Sequence, residues 1–188
     1  MKAALIVVVI LLVVALAAGS KASGVYNGLV TEREAIQGAW SQVDVALQRR
    51  ADLIPNLVET VKGFAKQEEK VISSVTEARA ALLGARSPQD RIQANQQLDG
   101  AIGRLLLVVE NYPALKSNEN FLKLQDELAG SENRIAVERR KYNETVQRYN
   151  TSIELFPNNI VAGLFRFQRN DAYFKTEPGA RTVPPVKF

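Results

Sequence analysis

Residues 118–156, NENFLKLQDELAGSENRIAVERRKYNETVQRYNTSIELF, decide the fold class, because Phe121, Leu128, Ile135, Tyr142, Tyr149 and Phe156 recur at every seventh position. A half-buried strand would alternate apolar and polar residues at every second position, whereas a helix repeats its inner face at three and four. The stretch therefore predicts one long helix over about residues 118–155. A strict seven-residue repeat drifts around an ideal helix, so it also predicts gentle left-handed supercoiling against neighbours. Between the apolar positions, Arg134, Arg139, Arg140, Lys141 and Arg148 alternate with Glu138 and Glu144, the pattern of a solvated face.

The same spacing extends toward the N-terminus. Residues 88–111 carry Leu98, Ile102, Leu105, Val109 and, just beyond, Tyr112, stepping by four and three. In front of them Gly84 suits the left-handed position after a helix, Ser87 is placed to cap the next one and Pro88 to open it. Tyr112-Pro113 ends that helix, and residues 117–120 offer the cap of the long one. A further helix over residues 54–83 has Leu57, Phe64, Val71, Val75, Ala78 and Leu82 facing inward. Its predecessor carries Leu29, Ile36, Trp40, Val43, Leu47 and Ile54 on one stripe. Pro55 interrupts the pattern, either as a kink or as the first position of a new helix, since proline has no N–H to donate and crowds the preceding turn; Asp52 and Asn56 stand near enough to serve the freed backbone. Short connections make successive helices antiparallel neighbours. The expected fold is all-α: an N-terminal transmembrane helix, an antiparallel up-down four-helix bundle, a short C-terminal helical segment and an extended tail.

The transmembrane helix is residues 3–18, AALIVVVILLVVALAA. Sixteen residues rise ~24 Å, and the neighbouring Gly19, Ser20 and Ala22 extend the span to the ~30 Å of a bilayer core. A cleaved signal peptide is the competing reading, with Ala15-Leu16-Ala17 as its cleavage site. Helical patterning resumes almost at once near Tyr26, which favours an anchor. The expected divisions are 1–22 for the anchor, 23–174 for the bundle and 175–188 for a flexible tail rich in Pro and Gly. Lys2 before the span and Lys21 after it leave a slight bias that keeps the N-terminus in the cytoplasm. The expected location is thus the bacterial cytoplasmic membrane, single-pass, with the bundle on the outer, periplasmic side.

The chain has no Cys and no His. That excludes thiol nucleophiles, disulfides, lipoprotein acylation, the usual zinc sites and Ser-His-Asp chemistry. Paired carboxylates such as Glu68-Glu69, or Glu32 and Glu34, sit in charged helical surroundings and read as solvated faces. No catalytic residue, metal or cofactor is expected, and no enzyme. The 24 basic and 20 acidic residues leave a small positive charge concentrated at the end, where Arg166, Arg169, Lys175, Arg181 and Lys187 face only Asp171 and Glu177. Neither a groove-reading motif nor aromatic-basic interleaving is present, so no nucleic-acid partner is expected.

Two segments are candidate sites. Leu164, Phe165, Arg166, Phe167 and Arg169 mix apolar and basic side chains as a membrane-surface contact does, or else their aromatics plug the end of the bundle. At residues 49–56, RRADLIPN, the charges Arg49, Arg50 and Asp52 stand beside Pro55 and Asn56 among apolar neighbours. This is a candidate docking site, or a local device in which an arginine pairs with Asp52 and the polar groups serve the break at Pro55.

This second segment also resembles the signature of the bacterial LemA family. The resemblance continues, in order, through Tyr26-Asn27, Tyr112-Pro113 with Lys116 and Phe121, residues 132–135 (ENRI), Tyr142-Asn143, Tyr149-Asn150, Phe156-Pro157 and Tyr173-Phe174. It spans the chain from the anchor to about Phe174, with the tail outside it. It implies a membrane-spanning N-terminal helix and an antiparallel bundle, and it supplies no reaction. The function expected is a structural or interaction protein of the envelope, presenting its bundle to itself as a homo-oligomer or to other envelope proteins, with the lipid bilayer as its first partner. A ligand- or partner-responsive regulatory adaptor is the alternative.

Overall fold

The computed structural model describes residues 2–174, and the tail expected at 175–188 lies outside the described residues. The described chain is all-helical, without a strand. Its elements are α1 (Lys2–Phe64), α2 (Glu69–Gly84), α3 (Pro88–Val109), α4 (Pro113–Lys116), α5 (Glu119–Glu154) and α6 (Asn158–Leu164). Helix α1 is long and apolar enough to cross a membrane. Its most apolar window has a mean hydropathy of 2.6 and none of it is buried.

The chain divides into two compact units. Among the described residues, one takes in 2–39 together with Glu144–Asp171, and the other Trp40–Asn143 together with 172–174. In the second unit Val43, Leu47, Ile54 and Leu57 of α1, Val75 and Leu82 of α2, Leu98 and Leu105 of α3, and Phe121 and Ile135 of α5 are buried. Each contributes ~1.5–3 kcal/mol relative to exposure in water. In the first unit Leu29 and Ile36 of α1, Tyr149 and Ile153 of α5, and Val161 and Ala162 of α6 form the smaller core. There the end of α5 lies beside α1, and Ser152 donates to Glu32 at 2.9 Å.

No new helix begins at Pro55. Helix α1 runs through it and stops at Phe64, and the reversal is made by residues 65–68, where Glu68 N donates to Ala65 O at 3.1 Å. Turning there also changes which face is inner: Phe64 is exposed and Val71 half-buried, while Ile72 is buried in its place. Gly84 is likewise not left-handed. It is the last residue of α2, and the chain leaves it extended at Ala85 (φ −66°, ψ 131°). Ser87 must also be extended, since the following Pro88 disfavours helical geometry at the preceding residue. Its Oγ accepts from Asp90 N at 3.1 Å, as expected of the cap. Asn118 Oδ1 caps α5 by accepting from Asn120 N and Phe121 N, both at 3.1 Å. The last member of the seven-residue repeat fails. Helix α5 ends at Glu154, and Phe156 is 79% exposed.

Candidate functional site

The RRADLIPN segment lies within α1, and the helix parts its residues onto two faces. Arg50 turns inward and is only 6% exposed. Its Nη1 donates to Asp99 and, at 3.3 Å, to Asn95 Oδ1, both on α3. It also stands 2.7 Å from Glu132 Oε2 on α5, close enough for an ion pair but aligned too poorly for a hydrogen bond. Asn95 Nδ2 donates to Asp99 Oδ2 at 3.1 Å. One guanidinium thus serves two carboxylates on two further helices, and its Nε has no hydrogen-bond partner. Removing one partner of such a group strands the others.

Arg49, Asp52 and Asn56 follow at helical spacing on an outward stripe, beside the exposed Pro55. Asp52 accepts from Gln48 Nε2 at 2.9 Å rather than pairing with an arginine or capping a helix. Arg49 reaches Glu127 at 3.8 Å, with both side chains largely exposed, an arrangement worth little in stability. Next to Arg49 a cleft of about 400 Å³ runs between α1 and α5, lined by Val45, Ala46, Ser131 and Arg134 among others.

Continuity through Pro55 is explained by a residue the sequence did not single out. Proline at 55 deprives the Ala51 carbonyl of its helical donor, and Ala51 is fully buried. Arg79 of α2 supplies the bond, Nε donating to Ala51 O at 2.7 Å. The partner is 28 residues away, so no local spacing announces it.

In the first unit the C-terminal segment is held by side chains of α5. Asn150 Nδ2 donates to Asn170 O at 2.7 Å and its Oδ1 accepts from Asn170 N at 2.9 Å. Tyr149 Oη donates to Gln168 O at 2.9 Å. Burial raises the Tyr149 pKa, with Arg33 opposing and Glu32 adding to the rise. In the second unit Asn143 repeats the device, its Nδ2 donating to Phe174 O at 2.9 Å and its Oδ1 accepting from Phe174 N at 3.1 Å. Phe174 packs there against Trp40 and Tyr142 at 6.1 and 5.9 Å, under Arg139. Tyr142 and Tyr149 were expected as core residues and are buried; the clamping role of the asparagine after each was not foreseen.

The segment 164–169 is divided in its surroundings. Phe165 and Phe167 lie 4.7 and 5.6 Å from the Tyr26 ring, and the Arg33 guanidinium stands over Phe167. Leu164 is nonetheless 75% exposed and Phe165 53%. Arg166 is left-handed at φ 57°, and Phe167 N donates to Ala162 O at 2.9 Å, closing α6 in the manner usually reserved for glycine. Arg169 pairs with Asp171 at 2.9 Å and with Glu154, hydrogen bonds that raise its pKa.

Residues 39–188 match the LemA family. The chain belongs to the LemA family. The match begins later than the resemblance suggested, after Tyr26-Asn27, and runs on through the tail. Among curated relatives, magnetosome protein MamQ 2 of Paramagnetospirillum magneticum is 31% identical over 191 residues, covering 87% of this chain and 70% of the relative. Magnetosome protein MamQ of Magnetospirillum gryphiswaldense is 28% identical, over 84% of this chain and 67% of the relative. Protein LemA of Metamycoplasma hominis is 28% identical, over 74% and 64%.

Proposed function

We propose that this LemA-family chain is a single-pass membrane-anchored structural and interaction protein, not an enzyme. Its N-terminal helix crosses the bacterial cytoplasmic membrane and its helical domain stands on the outer side, available to further copies or to other envelope proteins. The observation that carries this reading is the apolar run. From Leu5 to Leu16 its large side chains are 52 to 68% exposed, and leaving them in water would cost on the order of 10–20 kcal/mol. A bilayer removes that cost.

The order of contacts in the second unit supports an up-down bundle of four helices. Asp44 and Arg50 of α1 meet Arg91 and Asp99 of α3 in the same order along both helices. Trp40 and Arg50 meet Tyr142 and Glu132 of α5 in opposite order. Helices α1 and α3 then run one way, and α2 and α5 the other.

Self-association is read from the small residues of the anchor, including Ala15, Ala17, Ala18 and Gly19, which let helices approach closely in lipid. Light scattering tests it. The full-length protein in mild detergent should scatter as a homo-oligomer and the fragment 20–188 as a monomer; a monomeric full-length protein across detergents would end this part of the proposal. A regulatory adaptor is the second reading, favoured by the cleft beside Arg49 and Arg134. A ligand that binds there would raise the melting temperature.

A further inference from the structure

Five large apolar side chains crowd the end of the first unit without cover: Leu155, Phe156, Ile160, Leu164 and Phe165, exposed by 57, 79, 62, 75 and 53%. They are not the outside of an ordinary amphipathic helix. Helix α6 buries Val161 and Ala162 and presents Ile160 and Leu164, one turn apart, to the outside, so it is apolar on both faces. An exposed apolar group of this kind marks a contact surface.

Helix length gives the depth of this surface. Phe165 and Phe167 pack on Tyr26, and Tyr26 follows the end of the apolar run at Ala18 by only ~12 Å of helix, or by ~6 Å if the span reaches Ala22. The headgroup layer on each side of a bilayer is roughly 5–8 Å thick. With Ala22 closing the ~30 Å span, a run seated in the hydrocarbon places the Tyr26–Phe165–Phe167 cluster at the headgroups, the depth where tyrosine is enriched. Exposed Lys21 and Arg166 stand at the same end. Their charge complements anionic lipid, while Arg169 is already neutralised by Glu154 and Asp171.

We propose that residues 155–166 form a second membrane contact, an apolar foot whose Phe156, Ile160 and Leu164 enter the headgroup and upper acyl region of the leaflet that the anchor leaves. The foot rests on the anchor reading above and deepens it: the anchor alone would let the domain tilt, and a second contact fixes it against the lipid surface. The segment thus acts as plug and foot at once, Phe167 filling the aromatic cluster and Leu164 meeting lipid.

Because the chain has no cysteine, one introduced thiol takes one fluorophore. The full-length protein is reconstituted in vesicles of phosphatidylethanolamine and phosphatidylglycerol, labelled in turn at Leu164→Cys, Phe156→Cys, Val9→Cys and Leu122→Cys. Labels at 164 and 156 should be quenched by lipids carrying a shallow nitroxide and protected from aqueous iodide, as expected about 5–10 Å into the interface. The label at 9 should respond to a deep nitroxide and that at 122 to iodide alone. Iodide access at 164 and 156 equal to that at 122, with 9 still in lipid, overturns the foot and leaves the anchor standing. Iodide access at 9 brings down the anchor and the foot with it. Protection of 164 and 156 from both quenchers means a protein covers them, and the lipid contact is wrong.

Discussion

Replacing Arg79 by Met should reveal what holds α1 together across its proline. Methionine keeps much of the apolar stem, so the loss is chiefly the hydrogen bond from Nε to the buried Ala51 carbonyl. A bond from a charged donor contributes ~1.5–3 kcal/mol, and a stranded buried acceptor costs a similar amount, so the expected loss is about 2 kcal/mol. The control is Pro55→Ala, which restores an N–H one turn beyond Ala51 and gives its carbonyl the ordinary helical partner. In that background Arg79→Met should cost less than about 1 kcal/mol, a coupling of about 1–2 kcal/mol between residues that do not hydrogen-bond each other. Urea melts of the full-length protein in mild detergent read both, through the fluorescence of Trp40, the single tryptophan, which packs on Tyr142 at 5.4 Å. Equal cost in the two backgrounds would refute the reasoning and leave Arg79 acting through packing or charge alone.

Arg50→Met should destabilise more, by about 3–5 kcal/mol, because it strands Asp99 and Glu132, and adding Asp99→Asn should recover part of the loss in the same melts. Asn150→Ala removes both bonds to the Asn170 backbone and should cost about 2 kcal/mol. Trypsin should then cut after Arg169 faster, with no such change for the exposed Asn56→Ala. The raised Tyr149 pKa fixes the sign of an alkaline effect: the folded state holds the proton more tightly than the unfolded chain, which releases it near pH ~10. That contribution is complete below this pH and lost as pH rises through the folded value, so Tyr149→Phe should flatten the alkaline decline seen in a pH series of melts.

Periodicity made the inner faces legible, because burial at helical spacing needs only the local pattern: Leu29, Ile36, Val43, Leu47 and Ile54 are buried, as are Phe121, Leu128, Ile135, Tyr142 and Tyr149. The caps at Ser87 and Asn118 were legible for the same reason. Pro55 was misread since the group that makes it tolerable, Arg79, lies on another helix. The turn at residues 65–68 was missed because its sequence, Ala-Lys-Gln-Glu, carries no breaker and follows only Gly63. Of the docking candidates, spacing alone did not separate the inward Arg50 from the outward Arg49, Asp52 and Asn56; that follows from which neighbours surround the helix. The Asn143 and Asn150 clamps act over 31 and 20 residues, beyond the reach of any local motif.

The central claim is that the N-terminal run of α1 is a retained membrane anchor. The most direct test is the intact mass of the protein extracted from alkali-washed membranes. The account predicts a mass that still includes the whole apolar run, residues 3–18. A mass lacking the residues up to Ala17, with the remainder released by the alkaline wash, would contradict it.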